Sequence, residues 1–202
     1  MTERKTHLHP FFSTPVWTYK LEKYQEINEN ILEYINELKK DDPDGLIKSN
    51  VKGWHSKEFD LKNPSPILFV NSIMPSINEV INDMNWDTKK QKIQILNMWS
   101  IINYKDSSNE RHIHGNSFIS AAYYIKAPKK SGNIVFYDPR SAPTYSHPIS
   151  TQSNSLNATS HSIEPQEGLL VMFPSYLQHS VETNKSDEER IVVSFNINIS
   201  KN

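Results

Sequence analysis

Residues 22–42 read EKYQEINENILEYINELKKDD, and the apolar positions Tyr24, Ile27, Ile31, Ile35 and Leu38 recur at three- and four-residue spacing. That period places them on one side of a cylinder and predicts an amphipathic helix with a single buried face. The preceding FFSTPVWTYKL, residues 11–21, is short, aromatic and β-branched, which predicts an extended segment. Residues 43–66, PDGLIKSNVKGWHSKEFDLKNPSP, show no period and carry Pro, Gly, Ser and Asn throughout, so they predict a long loop. A second helix is predicted over PSINEVINDMNW, residues 75–86, with Pro75 near its start, where a missing N–H does least harm.

From about residue 90 the period changes. KIQILNMWSIINY, SFISAAYYIKA, NIVFYD, GLLVMFP and RIVVSFNINIS are short β-like runs with turn residues and no helical period between them. They predict an antiparallel sandwich or barrel. DPRSAPTYSHPISTQSNSLNATS, residues 138–160, is too long for an ordinary connection and is a candidate lid, mobile over 140–160. The economical architecture is mainly β with flanking helices: a double-stranded β-helix, or cupin-like jelly roll, with two helices packed outside it. The whole chain, 1–202, is then one domain, with a helical and loop annex over 1–89 and the jelly-roll core over 90–202.

Composition narrows the chemistry. A chain of 202 residues suits one domain and buries roughly 70% of its unfolded surface. The net charge is -1 with no basic stripe, so no nucleic-acid partner is expected. There is no cysteine, which removes disulfides, thiolate metal sites and cysteine nucleophiles together. The start, MTERKTHLHPFF, lacks the apolar core of a signal peptide, and no apolar run approaches a membrane span, so a soluble, cytoplasmic protein is expected.

The chemistry-bearing stretch is NERHIHGNSFISAAYYIKAP, residues 109–128. His112 and His114 are two apart, so extended backbone points both side chains the same way. A third histidine, His179, follows a strand and a turn in GLLVMFPSYLQHSVETN. Two imidazoles at i and i+2 with a distant third can hold a metal on one face and leave the other positions open. In RIVVSFN, Arg190, Val192, Ser194 and Asn196 share one face, and Ile191, Val193 and Phe195 share the other. An inward arginine in a small barrel is costly unless paired, and a ligand carboxylate would pair it, with Ser194, Tyr124 and Tyr104 as further donors. The plainer readings stand beside these. His112 and His114 can be turn residues, and Arg190 can pair with Asp187 or Glu188. Arg140 can be held by Asp138 or reach a substrate carboxylate. Trp54 can be core or touch substrate, and Trp99 and Phe173 read as core. His147 and His161 read as surface residues, and the loop around His55 can line the site entrance.

Taken together, the H-x-H pair, the tyrosine-bearing strand and a distal histidine followed eleven residues later by Arg190 resemble the iron(II)/2-oxoglutarate-dependent oxygenases, in their prolyl-hydroxylase-like branch. FFSTPVW and SNVKGWHS are similar to segments of a group of such oxygenases from phages and marine bacteria, so the resemblance covers nearly the whole chain. It implies Fe(II), 2-oxoglutarate and O2, with hydroxylation of an unactivated C–H bond and release of succinate and CO2. The substrate it implies is peptidyl, prolyl among the candidates, or a small molecule. For a phage-encoded chain the compartment would be the host cytoplasm, and the assembly stays open between monomer and homodimer. His112 and His179 match metal ligands, Arg190 with Ser194 matches the clamp on the C5 carboxylate of 2-oxoglutarate, and Tyr124 matches the tyrosine that helps it. The usual motif is H-x-D or H-x-E, so His114 stands where a carboxylate is expected. A register with His114 first and Asn116 as its partner is the alternative. A cupin-type metalloenzyme without 2-oxoglutarate and a non-catalytic jelly-roll binding module are the alternative functions.

Overall fold

A computed structural model describes residues 6–141 and 148–201. Along the chain the elements are β1 (Trp17–Lys20), α1 (Tyr24–Asp41), β2 (Asn50–Val51), β3 (Trp54–His55), α2 (Pro64–Asp83), β4 (Gln91–Asn103), β5 (Ser108–His112), β6 (Ile119–Lys126), β7 (Ile134–Tyr137), β8 (Ser160–Ile163), β9 (Leu169–Pro174), β10 (His179–Val181) and β11 (Arg190–Lys201). They form two antiparallel sheets, ordered β1-β9-β6-β11-β4-β3 and β2-β5-β10-β7-β8. The two facing sheets are the predicted jelly roll, and strands from the first ninety residues join both of them.

Alternation along the strands of the larger sheet sorts its side chains between two environments. Tyr123, Ile125, Ile191, Val193 and Phe195 pack with Ile31, Ile35, Phe69, Ile73 and Ile77 of the two helices. Each such buried side chain contributes about 1.5–3 kcal/mol. Ala122, Tyr124, Val171, Phe173 and Val192 face the smaller sheet with Ile134 and Phe136. Helix α1 has no side-chain N-cap, so tertiary packing holds it. Asn28 on its buried face is bonded at both ends of its amide: its Nδ2 donates to the Ile125 carbonyl at 2.8 Å, and its Oδ1 accepts from Tyr123 Oη at 2.7 Å.

Three expectations change. Helix α2 begins at Pro64, not near Pro75, because Asn63 accepts from the Ser65 amide at 3.0 Å and Pro64 occupies the first turn. Pro75 therefore lies inside the helix. The stretch predicted as loop over 43–66 contains β2, β3 and the start of α2. A strand not anticipated, β8, begins at Ser160, the last residue of the candidate lid, and pairs with β7. Residues 142–147, including His147, lie outside the described residues. In the described remainder, Ser155, Leu156, Ala158 and Thr159 line a separate groove of about 440 Å³ with residues 10–14, Arg140 and His161, and none of His112, His114 and His179 lines it. No helix among the described residues is long and apolar enough to cross a membrane.

Candidate metal and cosubstrate site

A cavity of about 630 Å³ opens between the sheets, and His112, His114 and His179 line it together. Their nearest ring nitrogens all lie within 4.8 Å of one another. Register brings them there: His179 on β10 is directly opposite His112 on β5. His114 lies just past the end of β5, where its amide donates to the Ser175 carbonyl at 3.0 Å and ties the chain to the turn after β9. Ile113 between them is 53% exposed, as alternation requires. Asn116, the partner in the alternative register, sits in an exposed turn at φ 61° and does not line the cavity.

The tautomers follow from the hydrogen bonds. His112 Nδ1 donates to the Glu110 carbonyl at 2.6 Å, and His179 Nδ1 donates to the Leu177 carbonyl at 3.0 Å. Both rings thus present a bare Nε2. His114 Nε2 lies 3.3 Å from His179 Nε2, so the two nitrogens converge on one spot. Burial holds the His112 pKa below its ordinary value. Burial and then the nearby His112 push His114 down to about 4. Burial, His112 and His114 push His179 down to about 3, opposed by its bond to Leu177. Neutral imidazole is the metal-binding form. Among the described residues this cluster contains no carboxylate.

Arg190 lines the same cavity at 1% exposure. One guanidinium nitrogen donates to the Ser131 and Gly132 carbonyls at 2.6 and 2.8 Å, while its Nε has no partner. No ion pair with Asp187 or Glu188 forms: those acids meet Lys105 and Lys126 instead. Asn103 Oδ1, on the residue opposite Arg190 in β4, and Ser131 Oγ are also buried without partners. Buried polar atoms rarely go unpaired, and a buried cation is costlier still. A cation with unspent donors at the end of a cavity suits an anionic ligand. Tyr124 and Ser194 line the cavity with it, and burial raises the Tyr124 pKa to about 12, against the pull of Arg190, so its phenol stays protonated.

Other anticipated contacts lie elsewhere. Tyr104 follows Asn103, which faces the cavity, so alternation turns Tyr104 to the helix side. There it packs on the core under Lys39 Nζ, 4.9 Å from its ring centre. Arg140 is held by Asp138 through two bonds, at 3.0 and 2.9 Å, and lines the separate groove. Trp54 is core, its indole N–H donating to the Asp42 carbonyl at 2.9 Å. Conversely, Trp99, Phe173 and His55 belong to the cavity wall, with Asn97, Asn103, Asn109 and Asn196. The signal for Trp99 was available: Asn97, Trp99, Ile101 and Asn103 share a face of β4, and Trp99 is opposite Ser194.

Comparison with known proteins agrees with this architecture. Residues 97–196 match the family model described as "Putative 2OG-Fe(II) oxygenase". No curated protein matches the sequence. Among solved structures, the chain is similar to a prolyl-4-hydroxylase from Pseudomonas putida, with TM-score 0.64 and 12% identity over 91% of this chain and 92% of that one. It is similar to HygX from Streptomyces hygroscopicus with nickel and 2-oxoglutarate bound, with TM-score 0.64 and 12% identity over 93% and 84% of the two chains. A viral collagen prolyl hydroxylase from Paramecium bursaria Chlorella virus-1 gives 0.56 and 14% over 90% and 95%. At these identities the likeness carries the fold, and the family match covers the segment that bears all three histidines and Arg190. The chain belongs to the iron(II)/2-oxoglutarate-dependent oxygenases, and is a dioxygenase that uses Fe(II), 2-oxoglutarate and O2.

Proposed function

We propose that His112, His114 and His179 hold the iron, that Arg190 with Ser194 and Tyr124 holds the C5 carboxylate of 2-oxoglutarate, and that the enzyme hydroxylates an unactivated C–H bond of a peptidyl or small-molecule substrate. The observation that carries this is the placement, in one cavity, of three neutral imidazoles and a buried arginine with an unpartnered Nε. When bound, the iron supplies oxidation by O2 coupled to conversion of 2-oxoglutarate to succinate and CO2.

The chain's own residues bind, orient and exclude water. The carbonyls of Glu110 and Leu177 fix two of the rings. Arg190 is a fixed charge whose donors are already aimed, because the Ser131 and Gly132 carbonyls pin one nitrogen. Ile134, Phe173 and Val192 keep that region apolar, so the pairing is not diluted by water. Tyr124 offers a neutral O–H and holds its proton throughout the working pH range.

The breadth of substrate follows from the cavity and from neighbouring proteins. The cavity has room for a second ligand beside 2-oxoglutarate, with a polar rim of Lys48, Glu58, Asn97 and Glu110. Two of the neighbours are named as prolyl hydroxylases, and one HygX structure contains hygromycin B, so the fold accepts both a peptidyl residue and a small molecule. A peptidyl substrate, prolyl among the candidates, is the first to test. Incubation with 2-oxoglutarate, iron(II) and a proline-bearing peptide panel should yield succinate and a product one oxygen heavier by mass spectrometry. Succinate with no modified peptide would move the reading to small molecules. No succinate under any condition would remove it.

A further inference from the structure

His114 differs from the other two histidines in how its ring is held. His112 and His179 each anchor Nδ1 on a backbone carbonyl, whereas His114 Nδ1 has no hydrogen-bond partner among the described residues. Its ring is instead met by two others. Trp99 stacks on it at 5.6 Å between ring centres and 22° between planes, and His179 stacks at 5.1 Å and 12°. Trp99 is itself stacked by His55, at 5.8 Å and 9°.

Each outer ring is firmly seated. His55 is 8% exposed, and its Nδ1 donates to the Ser56 carbonyl at 2.7 Å. Its carbonyl accepts from the Leu46 amide, and Ser56 is bonded twice to Ser100 of β4. Trp99 is 8% exposed, sits in the middle of β4, and has an indole N–H without a partner. A buried indole that makes no hydrogen bond contributes through its ring contacts alone, and two imidazoles stack with it.

We propose that Trp99 and His55 are positioning residues for the metal site, holding the His114 ring by stacking where the other two histidines are held by carbonyls. This rests on the reading of His112, His114 and His179 as the metal ligands. It accounts for a histidine working where a carboxylate is usual in the family: a flat ring can be oriented by its faces, and the wall opposite supplies them. The ring faces do this work, so Phe should replace Trp99 and an aliphatic side chain should not.

Cobalt(II) tests it, because its visible bands report the ligand set without turnover. The full-length protein and the variants Trp99→Leu, Trp99→Phe, His55→Leu, His114→Ala and His179→Ala are titrated with cobalt(II). Circular dichroism and thermal unfolding in EDTA establish that each is folded. Trp99→Leu should bind cobalt about 10- to 100-fold more weakly, the range for outer partners of ligating histidines, with bands moved to those of His114→Ala. Trp99→Phe should keep the wild-type spectrum, and His55→Leu should show a smaller loss in the same direction. Wild-type affinity and bands in Trp99→Leu overturn the proposal; where that variant does not fold, the same result in His55→Leu overturns it. Wild-type cobalt binding in His179→Ala would instead remove the metal-site reading beneath it, so the two failures are told apart.

Discussion

At the scale of single residues the decisive one is Arg190. Its charge is buried, its Nε is unpartnered, and the acids that could have neutralised it are engaged with lysines. Arg190→Ala is expected to keep metal and to weaken 2-oxoglutarate binding by at least ~10-fold, because a hydrogen bond to a charged group is worth about 1.5–3 kcal/mol. Arg190→Lys should fall between, since lysine restores charge without the planar fork. Ser194→Ala should cost less, as it removes one neutral donor. Calorimetric titration of 2-oxoglutarate into manganese-loaded protein orders the series. Equal affinity in wild type and a folded Arg190→Ala would make the arginine structural. The same residues predict the metal series: His112→Ala and His179→Ala should lose bound iron, and His114→Ala should retain it weakly, by metal analysis of the purified variants.

At the scale of elements, the loop before β7 does as much for the site as the strands. Gly132 stands at φ +89°, and a Cβ there would lie 2.3 Å from the Glu182 carbonyl oxygen, while its own carbonyl accepts from Arg190. Gly132→Ala must move that backbone, so it should cost about 1–3 kcal/mol of stability by urea unfolding and also weaken 2-oxoglutarate binding. At Gly115, beside His114, an added Cβ would meet nothing within 4 Å, so Gly115→Ala should stay within about 0.5 kcal/mol. Strand β11 was the most legible element. Its period of two, broken by one arginine, sorted Arg190, Val192, Ser194 and Asn196 to the cavity and Ile191, Val193 and Phe195 to the helices, as the fold has them. The short strands were not legible. Two residues, as in β3, carry no period, so His55 could be placed near an entrance but not against Trp99. Tyr104 has the chemistry of a site residue, but the alternation of β4 turns it the other way. The true start of helix α2 is masked by Pro75, which reads as a beginning, although Asn63 and Pro64 form a better one.

At the scale of the whole molecule, the fold gathers four buried or half-buried histidines around one cavity, drawn from both sheets, and that ties stability to pH. His55, His112, His114 and His179 all have pKa values below the ordinary 6.5, burial being the first cause in each, with His114 near 4 and His179 near 3. In the unfolded chain these histidines take up protons as pH falls through about 6.5. The native state refuses those protons until pH reaches the lowered values. Between these limits the unfolded state binds more protons, so acid favours unfolding. For metal-free protein in EDTA, the stability contributed by these groups is therefore full above about pH 6.5 and is lost progressively as pH falls toward 4. Urea unfolding between about pH 8 and 5 should show a flat region, then a falling midpoint below about 6.5. His114→Ala and His179→Ala should each make that fall shallower, because each removes one proton-linked group. Metal adds a further term, since an ion that binds only the native state stabilises it by mass action, and acid must then displace the ion as well. Manganese-loaded protein should accordingly keep its neutral-pH midpoint to lower pH than the metal-free form, and 2-oxoglutarate should extend that protection in wild type but not in Arg190→Ala. A midpoint indifferent to pH in the metal-free protein would mean that the imidazoles are solvated in both states, which their shared burial in the cavity wall contradicts.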